Sequence, residues 1–201
     1  MEHLGGVYVI NLDRRTDRLE EFQEEMDLLQ LPFKRFPGIL KTPGTIGCGM
    51  SHLAILKEAR DLGLKNVLIF EDDFMLQVSK EEFWAAVDDF FKTEKDYDVF
   101  LLAAWVKKKT DHSDKLFRVQ EAQGASAYIV NAWFYDPLIE LYEDTLPKLE
   151  ATGRHWLYSR DQSWKALQPE GVWLTTKKIL GRQRPSIADT GKLPVFKDYK
   201  Y

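Results

Sequence analysis

The chain contains a single cysteine, Cys48, in 201 residues, so it cannot form an intramolecular disulfide, and a reducing compartment or indifference to redox state is expected. Long apolar runs are missing as well. The stretches 67–70 and 99–105 are among the longest, far short of the roughly 20 residues that a membrane-spanning helix requires. There is no excess of basic charge either: 28 Lys and Arg stand against 32 Asp and Glu, a net charge of −4. That balance removes the global electrostatic case for nucleic acid or an anionic membrane as partner, while leaving room for a local basic site. The opening Met-Glu-His lacks a basic region followed by an apolar stretch, so no secretion signal is read and a cytoplasmic location is expected. No internal repeat, low-complexity tract or linker interrupts the sequence, which predicts one domain over residues 1–201.

What is present is the composition of a globular protein. With 44% hydrophobic, 13% aromatic and 30% charged residues, disorder, collagen and coiled coil are excluded as the main state. At this length folding buries roughly 70% of the surface of the unfolded chain, enough for a core without a disulfide or metal staple. Short apolar runs alternate with segments of helical period, an order that predicts an α/β fold with a mostly parallel sheet flanked by helices. Residues 6–12 read as a first buried strand. Leu19, Phe22, Met26 and Leu29 then form one apolar helix face, with Asp17 and Glu20, or Thr16, at its start. A short strand over 33–36 is followed by prolines and glycines from Pro37 to Gly49 that predict an irregular loop. A second helix ends near Leu62 before Gly63, and the unbroken apolar run 67–70 predicts a strand covered on both faces. Ser79 and Glu82 make a capping box for a third helix. Beyond it come a strand over 99–104, a polar loop or hairpin tip over 107–115, and a strand over 125–130. A helix starting near Asp136, a short helix over 161–167 and a strand over 172–175 complete the regular elements, and the tail from Gly181 is polar with little periodicity.

Two groups carry candidate chemistry. Glu71, Asp72 and Asp73 directly follow the apolar strand, and ligands of open α/β sheets gather at the carboxyl ends of strands. If the chain stays extended there, Glu71 and Asp73 point to one side and Asp72 to the other, so two carboxylates share one hard cation, Mg²⁺ or Mn²⁺. The alternative is a solvated strand end whose acids cap the next turn. The second group, Arg14, Arg15 and Arg18, lies where the first strand meets its helix and suits a diphosphate. Arg14 and Arg18 are one helical turn apart and placed to face one ligand. The other reading is exposed ion pairing with Glu20, Glu21, Glu24 and Glu25.

Four segments resemble glycosyltransferase family 25, the family of bacterial lipooligosaccharide galactosyltransferases and relative of the collagen galactosyltransferases. Residues 7–18 (VYVINLDRRTDR) are similar to its opening strand and basic turn, and 47–53 (GCGMSHL) to its Gly-Cys-x-x-Ser-His-Leu segment. Residues 68–73 (LIFEDD) are similar to its acidic metal motif, and 124–130 (GASAYIV) to a later glycine-led strand. Gln183, Arg184, Pro185, Ser186 and Ile187 resemble its closing segment more weakly. The resemblance implies a GT-A type fold, a nucleotide-sugar donor such as a UDP-hexose, Mn²⁺ or Mg²⁺, a saccharide acceptor and inversion of configuration. It implies metal ligation by Glu71 and Asp73, donor contacts from Asn11, Leu12, Arg14, Arg18, Ser51, His52 and Asp72, and Asp161 as the base on the acceptor side; the other readings are His52 packed at a helix start and Asp161 as the cap of its helix. Asp189 competes with Asp161 for that role. Collagen-modifying relatives bring a late histidine to the metal, but no histidine follows His155 here, which leaves Asp189, Ser186 or water as the third ligand. Trp105 reads as a sugar-stacking ring or a core residue, Cys48 as structural, and the tail 192–201 as a solvated end or a peripheral membrane contact. A catalytically silent sugar-nucleotide or carbohydrate binding module is the alternative from another class. A Mg²⁺-dependent phosphoryl or nucleotidyl transferase is disfavoured by the lack of a Gly-x-x-x-x-Gly-Lys loop.

Overall fold

The computed structural model describes residues 2–185. Asp189, Ser186 and the tail 192–201 therefore lie outside the described residues, as does the end of the 183–187 segment. In chain order the elements are β1 (Gly6–Asn11), α1 (Thr16–Leu29), β2 (Lys34–Pro37), α2 (Gly44–Asp61), β3 (Asn66–Glu71), β4 (Phe74–Leu76), α3 (Lys80–Thr93), β5 (Val99–Asp111), β6 (Leu116–Asn131), α4 (Tyr135–Thr152), α5 (His155–Tyr158), α6 (Arg160–Ser163), β7 (Trp173–Thr176) and β8 (Gly181–Gln183).

The expected α/β class is what forms: a mostly parallel central sheet with helices on its faces, as the GT-A type resemblance implies. The strand order is β2-β1-β3-β6-β5-β7, with β6 alone running against the rest, and β4 pairs with β8 in a small separate sheet. Alternation along β3 divides the core between two faces. Val67 and Ile69 pack with Ile55, Leu56 and Ala59 of α2 and Leu138, Tyr142 and Leu149 of α4. Leu68 and Phe70 pack on the opposite face with Phe22, Met26 and Leu29 of α1 and Phe83, Val87 and Phe90 of α3. The Ser79–Glu82 capping box is formed, with both reciprocal bonds present.

Several local expectations are corrected. No capping box opens α1, because Arg15 holds the Asp17 carboxylate at 2.7 Å and the helix begins at Thr16 without a side-chain cap. The irregular loop read up to Gly49 stops at Pro43, since α2 already starts at Gly44. Its glycines are contact points inside a helix. A Cβ on Gly47 would sit 2.0 Å from the carbonyl oxygen of Ile39, and one on Gly49 2.7 Å from Leu146 Cδ2. The polar segment 107–115 is mostly strand: ladder pairs continue to Asp111 opposite Phe117, which leaves residues 112–115 as the tip. Nor is the start of the tail irregular, because β8 pairs Gln183 with Phe74 and Arg182 with Met75.

Candidate active site

The parallel register places Ile10 beside Glu71, so β1 and β3 end together and their next residues meet beyond the sheet. The extended chain stops at Glu71. Asp72 and Asp73 form a turn into β4, and the alternation assumed for three consecutive acids does not apply. Asp72 is buried and saturated: Arg18 Nη1 donates to its Oδ1 at 2.9 Å and Asn11 Nδ2 to its Oδ2 at 2.8 Å. The same Arg18 nitrogen lies 3.7 Å from Asp73 Oδ2. Arg18 is therefore taken up by the acidic turn rather than by the glutamates of its own helix, and Arg14 stays exposed, so the two do not share the same surroundings. Leu12 is half-buried, with its carbonyl accepting from Arg15 N in the β1–α1 turn.

Asp73 is 5% exposed and receives Gln183 Nε2 on Oδ2 at 2.8 Å, while its Oδ1 is buried and has no hydrogen-bond partner among the described residues. Burial first and then the nearby charge of Glu71 push its carboxyl well above the usual carboxylate range. An orphaned carboxylate oxygen next to a second negative charge is a donor set that fits a hard divalent cation. Gln183 reaches this turn because β8 is held on β4, and Arg184 follows with its N–H on the Asp73 carbonyl and Nη2 on Glu25 Oε1 at 2.8 Å. No chemical signal in the sequence singles out Gln183; the weak likeness of 183–187 to the family's closing segment is the one pointer to it.

Glu71 looks the other way. Arg160 Nη2 donates to its Oε1 at 2.7 Å, His52 Nε2 lies 3.3 Å from the same oxygen and Cys48 Sγ 3.9 Å. His52 is fully buried on α2, and burial lowers its pKa to about 4, so the ring is neutral near pH 7. A carboxylate only accepts, which puts the ring proton on Nε2 and leaves Nδ1 to accept from Tyr128 Oη at 2.7 Å. Cys48, His52 and Glu71 present ligand atoms within 4.8 Å of one another. They do not fit a cation, because the Arg160 guanidinium already occupies Glu71 and burial pushes the Cys48 thiol up to about 12. Arg160 is itself buried, bonded to the Ala125 carbonyl at 3.1 Å and seated 5.0 Å from the Trp164 ring centroid. Its role escaped sequence reasoning because a single arginine in a short helix gives no sign of its partner across 89 residues.

Ser51 also turns inward, accepting from Ile39 N at 2.9 Å and lying 2.8 Å from the Gly47 carbonyl. Asp161 does not cap its helix: Ser159 occupies the cap position. Asp161 Oδ2 accepts from Gly124 N at 2.9 Å, and its Oδ1 lies 3.1 Å from Ser159 Oγ. Gly124 has φ +60°, a left-handed conformation that favours glycine and turns its N–H toward the carboxylate. The structure thus joins Asn11, Arg18, Asp72 and Asp73 in one network, and Glu71, His52 and Arg160 in a second. Asp161 follows Arg160 directly.

Acids, an arginine and a short pairing strand thus gather at the carboxyl ends of β1 and β3, where ligands of open α/β sheets collect. Residues 41–126 match the family described as Glycosyltransferase family 25 (LPS biosynthesis protein), which supports relation of the chain to that family. A "Glycosyltransferase 25 family member" of Anopheles gambiae is 28% identical over an alignment that covers 37% of this chain and 17% of that protein, so the chain spans a small part of that relative's length. Among solved structures, A197 from STIV is similar with a TM-score of 0.51 at 9% identity, covering 96% of this chain and 93% of that one, a likeness of fold. A mannose-1-phosphate geranyltransferase from Thermus thermophilus has a TM-score of 0.49 at 10% identity, over 89% of this chain and 73% of that one. No helix among the described residues is long and apolar enough to cross a membrane.

Proposed function

We propose that residues 1–201 form one glycosyltransferase domain that moves a hexose, galactose or glucose, from a nucleoside diphosphate donor, a UDP-sugar, to an acceptor saccharide with inversion. The observation that carries this reading is the buried Oδ1 of Asp73 at the strand-end acids, which has no hydrogen-bond partner among the described residues. It stands beside a family match over residues 41–126. Asp73 would hold a divalent cation, Mn²⁺ or Mg²⁺, with Glu71 as the second negative charge beside it, its Oε1 engaged by Arg160 and His52. The chemistry such a cation supplies is neutralisation of the charge on a departing diphosphate.

The chain's own residues do the rest. Arg18 bridges Asp72 and Asp73 and keeps the two acids close without leaving both uncompensated. Asn11 fixes the turn by bonding both the Arg15 carbonyl and Asp72. Arg14 is exposed on the same turn, where its guanidinium meets the donor's phosphates. Asp161 is aimed by Gly124 and Ser159 and accepts the proton of the acceptor hydroxyl as the sugar carbon is attacked from the face opposite the leaving group.

The test is a thermal-shift titration of the protein with nucleotide sugars, with and without Mn²⁺, because a ligand that binds only the folded state raises its stability. A manganese-dependent shift with one donor is expected, and Asp161→Asn should keep that shift while losing transfer. Absence of a shift with every donor in folded protein overturns the reading and favours a module without a donor site.

A further inference from the structure

Next to the Asp161–Gly124 contact the surface carries an open groove of about 490 Å³ lined by Lys108, Gln120, Glu121, Lys165 and Pro169. Three lysines converge there on one carboxylate. Lys165 Nζ lies 3.6 Å and Lys107 Nζ 3.7 Å from Glu121 Oε1, and Lys108 Nζ lies 3.7 Å from Oε2. Among the described residues Glu121 is the carboxylate paired with these amines; of the lining residues Lys108 and Lys165 outnumber it by one positive charge, and Lys107 beside Glu121 adds a second, within a chain of net charge −4. Each distance is longer than a charge-assisted hydrogen bond, so Glu121 is shared among the three rather than clamped by any one. Lys165 is instead held by neutral oxygens, Gln123 Oε1 at 2.6 Å and Gln162 Oε1 at 2.7 Å, which orient the amine without cancelling its charge.

Those two glutamines fix where the charge lies. Gln123 precedes Gly124, Gln162 follows Asp161, and Gly124 and Asp161 are bonded to each other. Lys165 of the groove is therefore bonded to the chain neighbours of the carboxylate assigned above to the acceptor. Across the ladder Gln123 pairs with Trp105, whose ring lies 5.0 Å beneath Lys107 Nζ, so an aromatic ring borders the same edge. The donor-side residues Asn11, Arg18 and Asp73 belong to the ends of β1 and β3, whereas this groove is built from β5, β6 and the segment after α6. A neutral sugar gives no reason to gather more lysines than one carboxylate balances; an acidic one does.

We propose that this groove binds an anionic group, a phosphate or a carboxylate, carried by the acceptor saccharide. The inference rests on the acceptor-side reading of Asp161. It is tested by calorimetric titration of the full chain with glucose against glucose 6-phosphate, lactose against 3′-sialyllactose, and inorganic phosphate alone, at low and high salt. One charged sugar should bind at least about tenfold more tightly than its neutral counterpart at low salt, and the preference should fall to about twofold or less at high salt. It should fall equally in Lys108→Gln/Lys165→Gln and persist in Lys178→Gln, which lies outside the groove. The sugar that shows the preference assigns phosphate or carboxylate. Equal binding of charged and neutral sugars, a preference that survives the double substitution, or inorganic phosphate binding as tightly as the phosphosugar would each overturn the proposal. The manganese-dependent donor shift is measured on the same variants. A persistent donor shift without anion preference removes the groove proposal alone, whereas anion preference without any donor shift removes the transferase reading and with it the assignment to an acceptor.

Discussion

Glu71 and Asp73 are two residues apart in one acidic triplet, yet the fold surrounds them differently. Glu71 ends β3 facing α2 and α6, where Arg160, His52 and Cys48 crowd one of its oxygens. Asp73 lies past the strand in a turn, with Gln183 on one oxygen and nothing among the described residues on the other. The difference arises because the extended chain ends at Glu71. Two acids of one triplet thus meet different surroundings: one ties the helices to the sheet, and the other keeps a buried oxygen without a hydrogen-bond partner among the described residues.

The largest effect is expected at Asp73. Asp73→Asn keeps the shape while removing the charge, so transfer should fall on the order of a thousandfold. The melting temperature should hold or rise, because the burial of a charge and then its repulsion with Glu71 are removed. On the other side of the triplet, Arg160→Met leaves Glu71 without its cation and should cost about 3 kcal/mol in urea unfolding. Adding Glu71→Gln to that variant should recover part of the loss, and an Arg160→Met protein as stable as the parent would erase the contrast between the two acids.

The His52 prediction follows from proton linkage. Its pKa is lowered from 6.5 to about 4 in the fold, so the unfolded chain binds more protons between those values. The contribution is complete above the unfolded value and is lost as the pH falls through the folded one, on the order of 3 kcal/mol. Stability measured against pH in the parent and in His52→Gln should differ in slope over this window; parallel curves would contradict a buried neutral ring. The smallest effect is geometric. Gly47→Ala brings a Cβ to 2.0 Å from a backbone oxygen on the loop before α2, and about 2 kcal/mol of destabilisation is expected from thermal or urea unfolding.

The sheet and its helices were legible in the sequence because apolar period is a local property: β3 reads as unbroken Val-Leu-Ile-Phe, α3 announces itself with Ser79 and Glu82, and Gly63 with φ +63° marks the end of α2. The glycines at 47 and 49 misled for a physical reason. Their use is close approach to Ile39 and Leu146, which composition cannot tell from loop flexibility. Site residues followed the same division. The acids and the Asn11–Arg18 turn were visible as motifs at strand ends. Arg160 was not, and Gln183 only through the weak likeness of 183–187, because each acquires its role from a partner far along the chain, Glu71 across 89 residues and Asp73 across 110. Even Arg18 changed its reading: sequence neighbours offered glutamates on its own helix, and the parallel pairing of β1 with β3 supplied Asp72 instead.

The measurement that bears most directly on the division between the two acids is Mn²⁺ binding, followed by electron paramagnetic resonance of the free ion, in the parent, in Asp73→Asn and in Glu71→Gln/Arg160→Met. The account predicts that binding is lost in Asp73→Asn and persists, weakened, when Glu71 and Arg160 are exchanged together for neutral residues. Undiminished Mn²⁺ binding in folded Asp73→Asn would contradict it.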